Sequence, residues 1–524
     1  MTRALQGTVR LCVAMSLLTL ASGLARANWV ASGTFRYQDR PFSTTQFLPI
    51  VEMPIRFADI EVLDLSKAAN KQVIAKGKTD ASGSYSLTVV DSTTHAVRIR
   101  ALTSTTQTLD LFVKVTYTPT GAVYALSPPD VPSHNPNTSV DFGIQVAPAF
   151  SGAGEAFNIF DLGVLGADQI KAITGSRPAS TRLVTFRFDI ADTSATSSTL
   201  GSTVTIRGTS GYDDTVILHE HGHYTGNNYW GSDNAGGSHA LAECNQNILL
   251  AFDEGRASFW GCGVRRSNNL PICQFYFRSD TVSFLNSFDL EDALQYPCRY
   301  DTSEVAVSRT LWDIGDNTGT SDSTYGAEDA AGYDTLALND LQWWEVMAGP
   351  ARTATTISLE DFWDGWFDPA ISNGYKPEMT NLFNNVDYGI QFFPDTNEPN
   401  QTSAQARPFT KGSTIHLTFF SDPESDGKGA ADTDWFSFKG VLDTFIAIKT
   451  SNLINDANTK LELIDTNGHT VLASNDDRSP GDLSSLINWF APRSDLFYVK
   501  VTNVNANGIY GSYDLTLTSP PTLP

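Results

Sequence analysis

Val216-Ile217-Leu218-His219-Glu220-His221-Gly222-His223-Tyr224 is the stretch from which the rest of this chain is read. On an α-helix, residues four apart share a face, so His219 and His223 turn two imidazoles toward one point. That is half of a site for a divalent metal such as zinc. Glu220 flanks the same point and can reach a water held there, which makes it the candidate general base. His221, two residues after His219, points about 200° away and is read as no ligand. Asp213 or Asp214 suits the N-cap and first turn of this helix.

A catalytic zinc site usually has three protein ligands and one open position. From His239 to Gly261, the residues Leu241, Cys244, Ile248, Phe252, Gly255 and Phe259 recur at helical intervals, which predicts one buried helix. Glu254 lies on it beside Gly255, where a neighbouring helix or a metal can approach closely.

His219-Glu220-x-x-His223 followed by Glu254-Gly255-x-Ala257 resembles the gluzincins, thermolysin-like zinc peptidases whose third ligand is a glutamate on a second helix. The resemblance implies one catalytic Zn2+ held by His219, His223 and Glu254, with Glu220 as the base. The offset, 254 − 223 = 31 residues, is longer than the thermolysin interval. An insertion containing Gly236-Gly237-Ser238-His239 accounts for it. Glu243, at 243 − 223 = 20 residues, is closer to that interval but lacks the Glu-Gly-x-Ala context. The metzincin pattern also matches as far as Gly226, then meets Tyr229 where its third histidine belongs, and tyrosine is a poor zinc ligand beside histidine. Position 258, where the family often has an acid that supports a ligand histidine, is serine. The oxyanion formed during hydrolysis needs a donor besides the metal, contributing about 3 kcal/mol. His239, Tyr224, Tyr229 and Tyr276 are candidates, with His239 preferred because it sits in the Gly-rich loop between the two ligand helices.

The chain around this centre divides by pattern. Residues 1–27 combine Arg3 and Arg10, the apolar run Leu11 to Leu24, and Ala25-Arg26-Ala27, as in a secretory signal peptide. Asn28, not a cysteine, stands directly after the cleavage site, and no later run has the length of a membrane span, so neither a lipid nor a membrane anchor is expected. From 28 to 145, short β-rich runs such as Ser32 to Tyr37, Ile60 to Asp64, Tyr85 to Val90 and Val113 to Tyr117 predict an all-β sandwich. Thr79-Asp80-Ala81-Ser82-Gly83-Ser84-Tyr85 resembles the turn of transthyretin-like or carboxypeptidase-regulatory-like domains. Residues 146–393 hold the histidine motif among mixed helices and strands, an α+β pattern that fits the zinc-peptidase domain the resemblance implies. In 394–524, Asp395-Thr396-Asn397-Glu398-Pro399-Asn400, Asp432-Thr433-Asp434-Trp435-Phe436, Leu461 to Asp465, Asn475-Asp476-Asp477 and Tyr498 to Val501 resemble, in order, the bacterial pre-peptidase C-terminal domain, a β-sandwich.

The net charge of −23 becomes −26 once Arg3, Arg10 and Arg26 are removed, which disfavours nucleic acid and anionic membranes as partners. Cys244, Cys262, Cys273 and Cys298 remain, an even number that predicts two disulfides in any of three connectivities. The acidic loop Asp313 to Asp329 and the turn acids Asp432, Asp434, Asp476 and Asp477 are candidates for Ca2+. The expectation is a secreted, monomeric zinc endopeptidase acting on protein or peptide substrates. No Gly-x-Met-Glu-Asn anchor of gluzincin aminopeptidases is present. The rival class is a non-catalytic secreted adhesion or binding protein.

Overall fold

Strand β1 (Ala27–Asp39) organises the amino-terminal half of the computed structural model. The structure describes residues 27–519 apart from 43–46, 106–112, 268–273, 277–286, 291–295, 316–334, 422–429, 505–510 and a few breaks of one or two residues. The expected signal peptide, bar its last residue, therefore lies outside the described residues. β1 is long enough to pair along one side with both β2 (Val51–Pro54) and β5 (Ser84–Asp91), antiparallel, and along the other with β10 (Val140–Ala147), parallel. A second sheet has the order β4 (Val73–Lys78), β3 (Asp59–Asp64), β6 (His95–Leu102), β8 (Ala125–Leu126), with β9 (Val131–His134) also paired to β6. The alternating run His95-Ala96-Val97-Arg98-Ile99-Arg100 buries every second residue, as a half-covered sheet requires. The Asp80 carboxylate accepts from the Ser82 and Ser84 amides, and Gly83 takes φ 78°, so this stretch forms the turn its sequence predicts.

β7 (Val113–Tyr117), read from the sequence as part of the amino-terminal sandwich, belongs elsewhere. It lies parallel to β11 (Val184–Phe188) in a sheet ordered β12 (Ser198–Leu200), β13 (Thr203–Ile206), β11, β7. Helix α1 (Ala153–Thr174) packs on this sheet, where a Cβ at Gly163 would meet Val113 at 2.7 Å and Phe186 at 2.8 Å. One hydrophobic core consequently runs without a break from Trp29 through Phe186 and Trp260 to Phe392. Arg56 reinforces the seam with a 2.7 Å ion pair to Asp161 on α1.

Helices α2 (Asp214–Thr225), α3 (Ile248–Ser267) and α4 (Glu304–Asp313) complete this region. Asp213 caps α2 by accepting from the Val216 amide. α3 begins later than its periodicity predicts: residues 239–247 are non-helical and the Asn247 side chain accepts from the Leu249 amide at the helix start. Disulfide Cys244–Cys298 ties that non-helical stretch down, and Cys262 on α3 is disulfide-bonded as well. The helix Leu359–Phe367 buries Phe362, Trp363 and Trp366 and serves the core.

The tail has its own core, built from Phe436, Ile448, Leu461, Val499 and Leu515 among others. A five-stranded sheet with Thr433–Gly440 next to Asp495–Asn503 and a four-stranded sheet with Ser512–Thr518 next to Phe445–Ile454 supply it. The chain is thus multidomain and β-rich with several helices. No helix among the described residues is long and apolar enough to cross a membrane.

Candidate metal centre

Two small residues in the motifs set the spacing of the helices that carry them. A Cβ on Gly222 of α2 would stand 2.7 Å from both Cα and O of Ala257 on α3, so the backbones touch there. Gly255 does the same for α4, where a Cβ would meet Val307 at 2.6 Å.

This contact brings His219, His223 and Glu254 together. His219 Nε2, His223 Nε2 and Glu254 Oε2 form a triangle with every side 3.1 Å. Each histidine is gripped from behind: His219 Nδ1 lies 3.1 Å from Ser258 Oγ, and His223 Nδ1 lies 3.1 Å from Asp253 Oδ2. An ionised Asp253 only accepts, so its partner assigns a hydrogen to His223 Nδ1, and in the neutral imidazole the lone pair is then on Nε2. Two ring nitrogens and a carboxylate oxygen this close repel one another unless a proton or cation lies among them. A point just off the centre of such a triangle is about 2.0 Å from all three corners, the length of zinc bonds to histidine nitrogen and carboxylate oxygen. The donor set therefore fits zinc.

The electrostatics favour a cation. Burial pushes the Glu254 carboxyl up, but hydrogen bonds with His219 and His223 outweigh it and hold the group well below the usual carboxylate range. Asp253 behaves alike: burial raises it, Arg256 and His223 lower it further. Burial opposes charge on His223, yet Asp253 and Glu254 push its pKa well above the ordinary value.

Glu220 lines the same cavity of about 890 Å³, between β12 on one side and the loop 236–241 on the other. His239 also lines it. Its Nδ1 donates to Glu304 Oε2 at 2.9 Å, and its Nε2 faces Glu254 Oε1 at 3.5 Å. The bond to Glu304, with further help from Glu254, lifts its pKa to about 9, so it is charged at neutral pH. Glu254 and Glu304 are also close enough to His239 to share a cation with it.

The other sequence candidates fall away from this cluster. His221 is wholly buried, takes the Trp260 indole N–H at 3.0 Å, and is driven down to about 3 by burial, so it stays neutral. Glu243 is exposed on the turn before α3. Tyr229 lies under the Arg182 guanidinium and against Trp344, and Tyr224 donates to the Arg182 carbonyl. The side chain of Tyr276 lies outside the described residues. Sequence reasoning missed Asp253, Glu304 and β12. Asp253 adjoins Glu254, but only the packing of α3 on α2 tells that it reaches His223.

Of the calcium candidates, Asp313 accepts from the Tyr388 hydroxyl, and most of the loop after it is outside the described residues. Asp434 instead groups with Asp395 and Glu398. Burial and the neighbouring Glu398 push the adjacent Asp432 up to about 8; the Asn400 side chain donates through Nδ2 to Asp434, and its buried Oδ1 has no hydrogen-bond partner among the described residues.

No protein-family model and no curated protein matches this chain. Among solved structures, the pre-peptidase C-terminal domain of a collagenase from Bacillus anthracis aligns with 23% of this chain and 99% of its own, at 18% identity and a TM-score of 0.18. PliG from Aeromonas hydrophila, a periplasmic inhibitor of g-type lysozyme, aligns over 21% and 95%, at 14% identity and a TM-score of 0.15. The chain thus has a distant, partial likeness to a pre-peptidase C-terminal domain, at scores that carry no functional argument.

Proposed function

We propose that this chain is a secreted zinc-dependent endopeptidase whose zinc ligands are His219, His223 and Glu254. The observation that carries the reading is the 3.1 Å triangle of two imidazole nitrogens and a carboxylate oxygen, braced by Ser258 and Asp253, inside an open cavity. Zinc held there would supply Lewis acidity to a water and to a scissile carbonyl. Glu220 takes the proton from that water and passes it to the leaving amine. His239, charged and aimed by Glu304, donates to the oxyanion. The cavity, of about 890 Å³, admits an extended peptide segment. We further assign the tail from 394 onward to an accessory sandwich of pre-peptidase C-terminal type, with Ca2+ at Asp395, Glu398 and Asp434.

Metal content and casein hydrolysis, measured on wild type and on Glu220→Gln and Glu254→Gln variants, test the reading. About one zinc per chain is expected in wild type and Glu220→Gln, with turnover only in wild type. Glu254→Gln loses both. Turnover surviving in Glu220→Gln refutes the mechanism, and a metal-free, inactive wild type favours a non-catalytic binding protein.

A further inference from the structure

We propose that Thr199 is a positioning residue that holds the Glu220 carboxylate in place from the edge strand β12; this rests on the hydrolytic reading above. β12 pairs with β13 alone among the described residues, and Ser198, Thr199 and Leu200 line the cavity. Strand alternation turns Ser198 and Leu200 outward, with Leu200 86% exposed, and turns Thr199 toward α2. There the Thr199 hydroxyl lies 2.7 Å from Glu220 Oε2 and 2.9 Å from the Glu220 backbone carbonyl oxygen. No other side chain among the described residues bonds that carboxylate, so one hydroxyl restrains a side chain with three rotatable bonds.

The chemistry suits a hydroxyl in particular. It has one hydrogen to give and lone pairs to accept with. While Glu220 is ionised, Thr199 donates to Oε2. When Glu220 takes the water's proton on Oε1, the oxygen Thr199 does not hold, Oε2 keeps a lone pair and Thr199 goes on donating to it, which leaves the proton free to pass to the leaving amine. The contact thus survives both halves of the proton's passage without a change of rotamer. Losing it frees the carboxylate to leave the line of the attacking water, and a base misplaced by even 1 Å costs rate steeply.

The test compares Thr199→Val, which keeps the shape and β-propensity, with Thr199→Ser, which keeps the hydroxyl, both in the full-length zinc-loaded protein. Hydrolysis of an internally quenched peptide gives kcat and KM, with zinc content and melting temperature measured alongside. Expected in Thr199→Val is a kcat lower by about tenfold, the worth of one hydrogen bond to a charged group. Its KM and zinc content should stay at wild-type values, and Thr199→Ser should restore kcat. An unchanged kcat in Thr199→Val overturns the inference, as does a Ser variant that is equally slow or a loss that appears in KM and melting temperature instead. An active wild type with an indifferent Thr199→Val sinks this inference alone, whereas a zinc-loaded but inactive wild type sinks the peptidase reading with it.

Discussion

Replacing Asp253 with asparagine removes a negative charge while keeping the side chain's shape, and two separate losses follow. The first is at the metal. Asp253 Oδ2 holds His223 Nδ1 at 3.1 Å, and the neutral amide is a weaker acceptor that no longer strengthens the imidazole as a donor. Changes to such supporting partners lower metal affinity by about 10- to 100-fold, or about 1.4–2.8 kcal/mol. The second is in the fold. Arg256 is 2% exposed and pairs with Asp253, keeping otherwise a 2.6 Å bond to the Gly231 carbonyl. Stranding a buried charge in this way costs about 3 kcal/mol. The sign with pH follows from the depressed Asp253 pKa: its stabilisation is present above the unfolded carboxyl's pKa of about 4 and fades as pH falls toward the folded value. Wild type should therefore exceed the variant at pH 7 and the gap should narrow in acid. Chelator competition reads the affinity, and urea unfolding of the zinc-free protein at pH 7 and pH 3 reads the stability. Zinc affinity within about twofold of wild type would refute the supporting role assigned to Asp253.

Gly222→Ala forces a Cβ against the Ala257 backbone and should cost about 1–3 kcal/mol of stability while spreading the ligand helices, seen as a lower melting temperature with weakened zinc binding. Breaking Cys244–Cys298 as a double serine variant frees a separation of 54 residues; the chain-entropy model puts the loss at about 4 kcal/mol, checked by denaturant midpoint. Asp432 is raised to about 8, so the folded tail binds more protons than the unfolded chain between about pH 4 and pH 8. Its stability should fall as pH rises through that window, and Ca2+ should reverse the fall; a melting temperature indifferent to Ca2+ at pH 8 removes the cation from this cluster.

Local spacing made the centre legible. His219 and His223 are four apart, and a helix turns that interval into one face whatever surrounds it. His221 was set aside by the same geometry, and it is buried against Trp260. The tail was expected as a β-sandwich from its resemblance, stretch by stretch, to the pre-peptidase C-terminal domain, and Thr433–Gly440 and Asp495–Asn503 are strands of its sheets. The start of α3 was misjudged because Leu241 and Cys244 continue the helical period by coincidence, while Asn247 and the Cys244–Cys298 bridge end it.

What the sequence alone determined is therefore the chemistry that one helix or one strand can express: two imidazoles and a carboxylate on α2, a glutamate beside a glycine on α3, and β-rich runs before them. The tertiary structure decided what must cross between elements. It sent β7 from the amino-terminal strands into the sheet beneath α1, because the apolar face of Val113 and Val115 is covered there. It also chose Asp253 to brace His223, Glu304 to charge His239 and Thr199 to hold Glu220, contacts across separations of 30, 65 and 21 residues. No periodicity encodes such contacts, since they depend on how closely Gly222 and Gly255 let the helices approach.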